Sequence, residues 1–246
     1  MLQNENIYLF LAILPIVSFL YSSVGHGGAS GYLALMALFS FAPESMKPTA
    51  LLLNLFVAGI SFFYYYREGY FNKKLFLVFA FASVPLAFIG GTIEVDAPIY
   101  KKILALLLIF AILKMLHVFG KENDQTKEAR LWQGLVVGGV IGFFSGLIGI
   151  GGGIILTPVI LLLHWGNMKE AAAVSALFIW VNSAAGLTGQ LSSGITIEKE
   201  SFLLVGIALI GAVLGGYYGS KKINSQNLRY ILAFVLIIAS VKLFFT

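Results

Sequence analysis

Gly142-Phe143-Phe144-Ser145-Gly146-Leu147-Ile148-Gly149-Ile150-Gly151-Gly152-Gly153-Ile154-Ile155-Leu156-Thr157-Pro158 stands in a region otherwise apolar enough to sit in lipid. Its composition forbids a continuous helix. Each glycine weakens a helix by about 1 kcal/mol relative to alanine, and Pro158 lacks an N–H, so irregular backbone is predicted from Gly149 to Gly153. Freed N–H and C=O groups cannot face hydrocarbon. They must be buried in protein or line a polar cavity, where half-helices that meet would aim their terminal dipoles and bare amides at an occupant.

A second copy lies 124 residues earlier, where Ser22-Ser23-Val24-Gly25-His26-Gly27-Gly28-Ala29-Ser30 aligns Gly25, Gly27 and Gly28 with Gly149, Gly151 and Gly152. Interrupted apolar segments at matching places in two halves point to the binding site of a transporter.

Composition bounds the class. The chain has 246 residues, 59% hydrophobic and only 11% charged, with a mean hydropathy of +0.92, which describes a multi-pass integral membrane protein. Its basic residues sit in short loops between apolar runs, where they set orientation; they are not a nucleic-acid signal. The absence of cysteine excludes disulfides, thiolate metal sites and cysteine nucleophiles. Neither a metal nor a cofactor is expected. With no nucleophile–base pair and no buried carboxylate, an enzyme is not expected either. The residues before Ile7 lack the basic stretch of a signal peptide, so the first apolar segment is expected to be a retained span.

Apolar runs give ten segments: 7–22, 30–42, 48–66, 75–93, 99–118, 131–148, 154–165, 170–191, 201–219 and 226–245. Segments 30–42 and 154–165 are short, as half-helices following each glycine break would be. The expected fold is an all-α integral membrane protein of two inverted repeats, residues 1–120 and 131–246, joined by a cytoplasmic loop at 121–130. Each repeat holds about five transmembrane or half-transmembrane helices. Ten crossings divide the sixteen Lys and Arg residues eleven to five between the faces, whereas fusing each short segment to its predecessor gives eight crossings and nine to seven. The positive-inside rule prefers ten, with both termini outside. Tyr64, Tyr65, Tyr66, Trp132, Trp165, Tyr217 and Tyr218 are expected as interfacial anchors.

Gly138, Gly142 and Gly146, and likewise Gly211, Gly215 and Gly219, stand four apart and read as helix-packing stripes. The glycines at 149–153 are not a nucleotide loop, since no strand precedes them and no ribose-binding acid follows. His26 is the imidazole within a break; Ile150 holds the matching place. It is the candidate for an anion contact or proton carrier. Small polar residues follow each break, and Asn54 and Asn182 lie deepest along their segments. No Asp or Glu lies deep in any segment, which favours an anionic or neutral cargo over a cation.

These residues resemble the TauE/SafE sulfite exporter family of membrane permeases. Gly146-Leu147-Ile148-Gly149-Ile150-Gly151-Gly152-Gly153 with Thr157-Pro158 is similar to the family's second-half motif, and the run from Gly25 to Ala34 to one version of its first-half motif. Further matches run from Lys47-Pro48-Thr49 to Asn54 and from Ala172 through Ser175 to Asn182-Ser183. The resemblance implies export of sulfite or small organosulfur acids.

Together these readings predict a secondary transporter in the cytoplasmic membrane that exports a small anion by alternating access, with a small-anion or neutral-solute channel as the alternative. Amides of Gly25, Gly27, Gly28, Gly149, Gly151, Gly152 and Gly153 would bind the anion, and His26, Ser30, Thr49, Asn54, Thr157, Ser175 and Asn182 would complete its shell. The expected partners are the anion and the lipid bilayer; a homodimer is compatible with this reading, and nucleic acid is not a partner.

Overall fold

The structure, a computed structural model, describes residues 7–115 and 127–221 together with Ile237 and Val241. The described residues form nine helices: α1 (Ile7–Ser23), α2 (Ala29–Leu38), α3 (Pro43–Arg67), α4 (Lys73–Thr92), α5 (Ala97–Met115), α6 (Leu131–Ile148), α7 (Gly153–Leu162), α8 (Met168–Ser192) and α9 (Lys199–Lys221). The expected tenth segment and most of the connecting loop lie outside the described residues. Five helices, α3, α4, α6, α8 and α9, are long and apolar enough to cross a membrane.

At 1.5 Å per residue, α2 and α7 are about 15 Å long, half of a hydrocarbon core of about 30 Å. Each doubles back on the helix before it. Phe10 near the start of α1 packs on Phe39 and Phe41 beyond α2, with ring centroids 5.5 and 4.9 Å away, while Tyr21 near the end of α1 accepts from Ser30 at the start of α2 (2.9 Å). Ser23 meets the Tyr65 hydroxyl near the end of α3, yet Ala29 is already at Asn54, halfway back along α3. The chain therefore returns to the face from which α1 set out. α7 retraces α6 in the same way, from the Ile141–Ser145 turn to Trp165, whose ring lies 5.7 Å from that of Phe79 in the first third of α4. Each short helix is therefore a separate element that turns back, not a continuation of the helix before it.

α3 and α8 run antiparallel through the centre. Ser45 at the start of α3 bonds Glu198 beyond the end of α8, Asn54 bonds Ser183, and Lys169 in the first turn of α8 lies over the Tyr65 ring near the end of α3. Around this pair, both glycine stripes pack as expected. A Cβ on Gly138, Gly142 or Gly146 of α6 would strike the backbone of Phe79, Ser83 or Ala87 on α4. One on Gly211, Gly215 or Gly219 of α9 would strike Pro15, Phe19 or Ser23 on α1. Ser18 and Ser22 of α1 add hydrogen bonds to the Ala208 and Ala212 carbonyls of α9 (2.7 and 2.8 Å). In lipid, where burial against tails gives no driving force, such close backbone approach supplies the packing.

Two expectations change. Pro158 lies inside α7, and the irregular backbone is confined to Gly149–Gly152. Trp165 and Tyr65 are buried, 7% and 2% exposed, because Trp165 fills the gap against Phe79 and Tyr65 is held by Ser23 and Lys169. Trp132, Tyr66, Tyr217 and Tyr218 are exposed as anchors should be.

Candidate functional site

The two breaks meet midway along α3 and α8. Two of the three matching glycine pairs share backbone conformation: Gly25 and Gly149 have φ of +78° and +88°, Gly28 and Gly152 of +97° and +79°; in the third pair Gly151 is left-handed at +72° and Gly27 is not. Gly28 and Gly152 are the N-caps of α2 and α7. A left-handed φ there costs a side-chain-bearing residue about 1–2 kcal/mol, which is why glycine occupies both turns. Gly27 and Gly151 face the same two side chains. A Cβ on either would lie 2.8 Å from Cγ2 of Ile179, and each would press on the amide of Asn54. Asn54 joins the halves: its Oδ1 accepts from the Ala29 N–H (3.0 Å) and its Nδ2 donates to Ser183 Oγ (3.1 Å).

The first N–H groups of a helix have no partner within it, and its dipole makes that end positive. α2 has one such N–H capped, by Asn54; α7 has no side-chain cap. The Gly25 and Gly149 amides are spent on closing α1 and α6, donating to Ser22 and Ser145 carbonyls (3.2 and 2.9 Å). Those of Gly27, Gly28, Gly151, Gly152 and Gly153 donate to no acceptor among the described residues. Two half-helix N-termini with bare amides thus converge midway along α3 and α8, and helix ends of this kind favour negative charge.

The family described as Sulfite exporter TauE/SafE matches residues 9–243. The chain belongs to this family. Probable membrane transporter protein y4hK of Sinorhizobium fredii is 34% identical over 247 residues, covering 98% of this chain and 99% of that one. A probable membrane transporter protein of Methanocaldococcus jannaschii is 28% identical over 250 residues, 93% of each chain. Another, of Haemophilus influenzae, is 26% identical over 240 residues, 93% of this chain and 91% of its own. No solved structure matches. As a TauE/SafE member, the protein is a multi-pass membrane transporter and not an enzyme.

Within this TauE/SafE chain, the expected shell residues divide. Thr157 Oγ1 lies 3.1 Å from His26 Nε2 and donates to Ser175 Oγ at 2.8 Å. His26 Nδ1 is 3.0 Å from the Val24 carbonyl, which can only accept, so Nδ1 carries a proton. His26, Thr157 and Ser175 thus form one relay beside the breaks. The other three turn away. Ser30 bonds Tyr21, Thr49 bonds Ser201 of α9 at 2.8 Å, and Asn182 Nδ2 bonds the Phe178 carbonyl of its own helix. Ile179 and Ser183, beside Asn182 but on another face of α8, hold the places facing the breaks.

Each break is flanked by a lysine that was not among the site candidates. Lys47, 7% exposed, abuts Gly149, whose Cβ would be 3.1 Å from the Lys47 Cγ. It lines a cavity of about 350 Å³ with Glu44, Glu94, Asp96 and Tyr100, and Tyr100 donates to the Ile148 carbonyl at 3.1 Å. Lys169, by the first break, borders a cavity of only about 30 Å³ with Ser23, Val24 and Tyr65. Its ammonium donates to the Gly219 and Ser220 carbonyls at 2.8 and 3.2 Å and lies over the Tyr65 and Tyr70 rings.

Proposed function

We propose that this transporter exports a small anion, sulfite or a small organosulfur acid, by alternating access around the paired glycine breaks of two inverted repeats, 1–120 and 131–246. The observation that carries the reading is the convergence of two half-helix N-termini, with free glycine amides, on the Asn54–Ser183 bridge. Opposite running of the equivalent helices α3 and α8 supports inversion of the halves. Closure at Gly27 and Gly151, where not even a methyl group fits, favours alternation over an open channel. The His26–Thr157–Ser175 relay offers a path for a coupled proton.

The purified protein in proteoliposomes should carry sulfite with saturable kinetics, and small sulfonates should compete. Linear, non-saturating flux would favour the channel, and indifference to every oxyanion would remove the cargo class. In the cell, a reporter fused at Asp124 should be cytoplasmic and one at Thr246 extracytoplasmic; finding both on one side would refute inversion.

A further inference from the structure

Among the described residues, Lys47 is the one charged side chain that is buried. Its ammonium has one hydrogen bond, to the Ile93 carbonyl at 3.2 Å, and makes no ion pair among the described residues. A buried cation without a contacting counter-charge is costly to desolvate, and a lysine has three donors to satisfy. Lys169 at the opposite mouth is the useful contrast: two carbonyls and two aromatic rings occupy it. Lys169 is a strut. Lys47 has donors to spare, and it borders the larger cavity.

Two residues that line this cavity, Lys47 and Tyr100, also touch the second break. Gly149 lies against Lys47, and Tyr100 holds the adjoining Ile148 carbonyl. Lys47 thus stands with its stem against Gly149 and its ammonium beside the Ile93 carbonyl, between the second break and the cavity. Glu44, Glu94 and Asp96 are exposed and stand around the same cavity. Glu44 is in the first turn of α3 and Asp96 directly precedes α5, where each carboxylate complements a helix N-terminus. Glu94 has no such role; it lines the cavity together with Lys47.

Building on the anion-transport reading, we infer that Lys47 is a second, charged station for the anion, between the second break and the mouth beside the start of α3. Its ammonium takes the oxyanion from the glycine amides, and the carboxylates around it shorten the stay. An anion held by a single buried lysine alone would leave slowly; one that faces Glu94 is repelled toward water.

Sidedness tests this. Sulfite transport by the full chain is measured in right-side-out and inside-out vesicles, giving a KM for each face. Lys47→Met should raise KM at the Lys47 face by about ten- to a hundredfold, the usual worth of one charge-assisted hydrogen bond, and leave KM at the other face unchanged. Lys47→Arg should restore most of it, and Glu94→Gln should lower KM at the Lys47 face. That opposite sign is not expected of a lysine needed only for folding. Equal effects of Lys47→Met at both faces, no effect at either, or no tightening in Glu94→Gln would overturn the station. A wild type that moves no sulfite from either face would overturn the transport reading and the station with it.

Discussion

Asn54→Asp separates the fold from the anion site. The carboxylate keeps an acceptor for the Ala29 N–H, and Ser183 Oγ can reverse its bond and donate to the second oxygen, so both links are preserved. A negative charge at the N-terminus of α2 is itself favourable, by about 0.3–1 kcal/mol. Against this, Asn54 is fully buried, and taking the new charge out of water costs several kcal/mol, so a lowered melting temperature is expected. For the cargo the new charge is repulsive. A Cβ on Gly27 would be 2.6 Å from Asn54 Oδ1, and Gly151 is as closely set, so an anion on their amides lies within about 5 Å of the new carboxylate. At an effective dielectric of about 20, two charges that far apart repel by roughly 3 kcal/mol, a few hundredfold in affinity.

The assay is sulfite uptake into proteoliposomes at matched protein density, beside a melting curve in detergent. Lowered melting, with KM raised by about two orders of magnitude for the protein that reconstitutes, is expected. If Asn54→Asp carries sulfite with wild-type KM, the anion does not bind between the breaks. If it fails to fold, the cost of burying the carboxylate outweighs its bonds to Ala29 and Ser183.

Two further substitutions probe the breaks. Gly152→Val places a β-branched residue at φ +79° with a Cβ 2.7 Å from Ile141, so transport should be almost abolished, whereas Gly206→Ala, with nothing within 4 Å of its Cβ, should be silent; equal activity at equal membrane levels would count against the second break. His26→Asn keeps polarity but removes the titrating ring from the Thr157–Ser175 relay, so the pH profile of efflux should flatten, and an unchanged profile would shift the proton to the cargo.

The breaks, the two half-helices and both glycine stripes were legible because each rests on a property of the backbone: glycine weakens helices, and ten apolar residues are too few to span a membrane. What side chains face was less legible. Asn54 and Asn182 look alike by depth, yet only Asn54 points between the breaks, since the helix turn that orients α8 presents Ile179 and Ser183 instead. Lys47 reads as a loop cation at the end of a segment, and only the start of α3 at Pro43 draws it into the protein. The stripes carried a misleading inference as well. Sequence suggests that Gly219→Ala, on a packing face, is milder than a change at Gly152, but a methyl at Gly219 would meet the Ser23 backbone. Backbone cannot rotate aside as a side chain can, so α1 and α9 would have to part.

The same contacts decide which parts can move as units. At the stripe glycines α1 touches α9, and α6 touches α4, backbone against backbone; a shear along either seam would drive carbonyls into neighbouring chain. Each seam joins a helix from one half to a helix from the other. Access that alternates by rocking residues 1–120 against residues 131–246 would part both seams, and also the contact of α4 with α8, where a Cβ on Gly91 would strike the Gly186 carbonyl and one on Gly189 the Phe88 carbonyl; α4, α6 and α8 are therefore expected to stay together through the cycle. A covalent lock tests this, in a chain without native cysteine. The Cβ that Gly139 would carry is 3.6 Å from that of Ala82, within the roughly 3.5–4.5 Å of a disulfide, and only the flexible end of Leu86 intrudes. Ala82→Cys with Gly139→Cys, once oxidised, ties α4 to α6 across the two halves and should leave sulfite transport at the rate of the reduced form. Transport that stops on oxidation and returns on reduction would mean that the seam opens during the cycle and that the halves themselves rock.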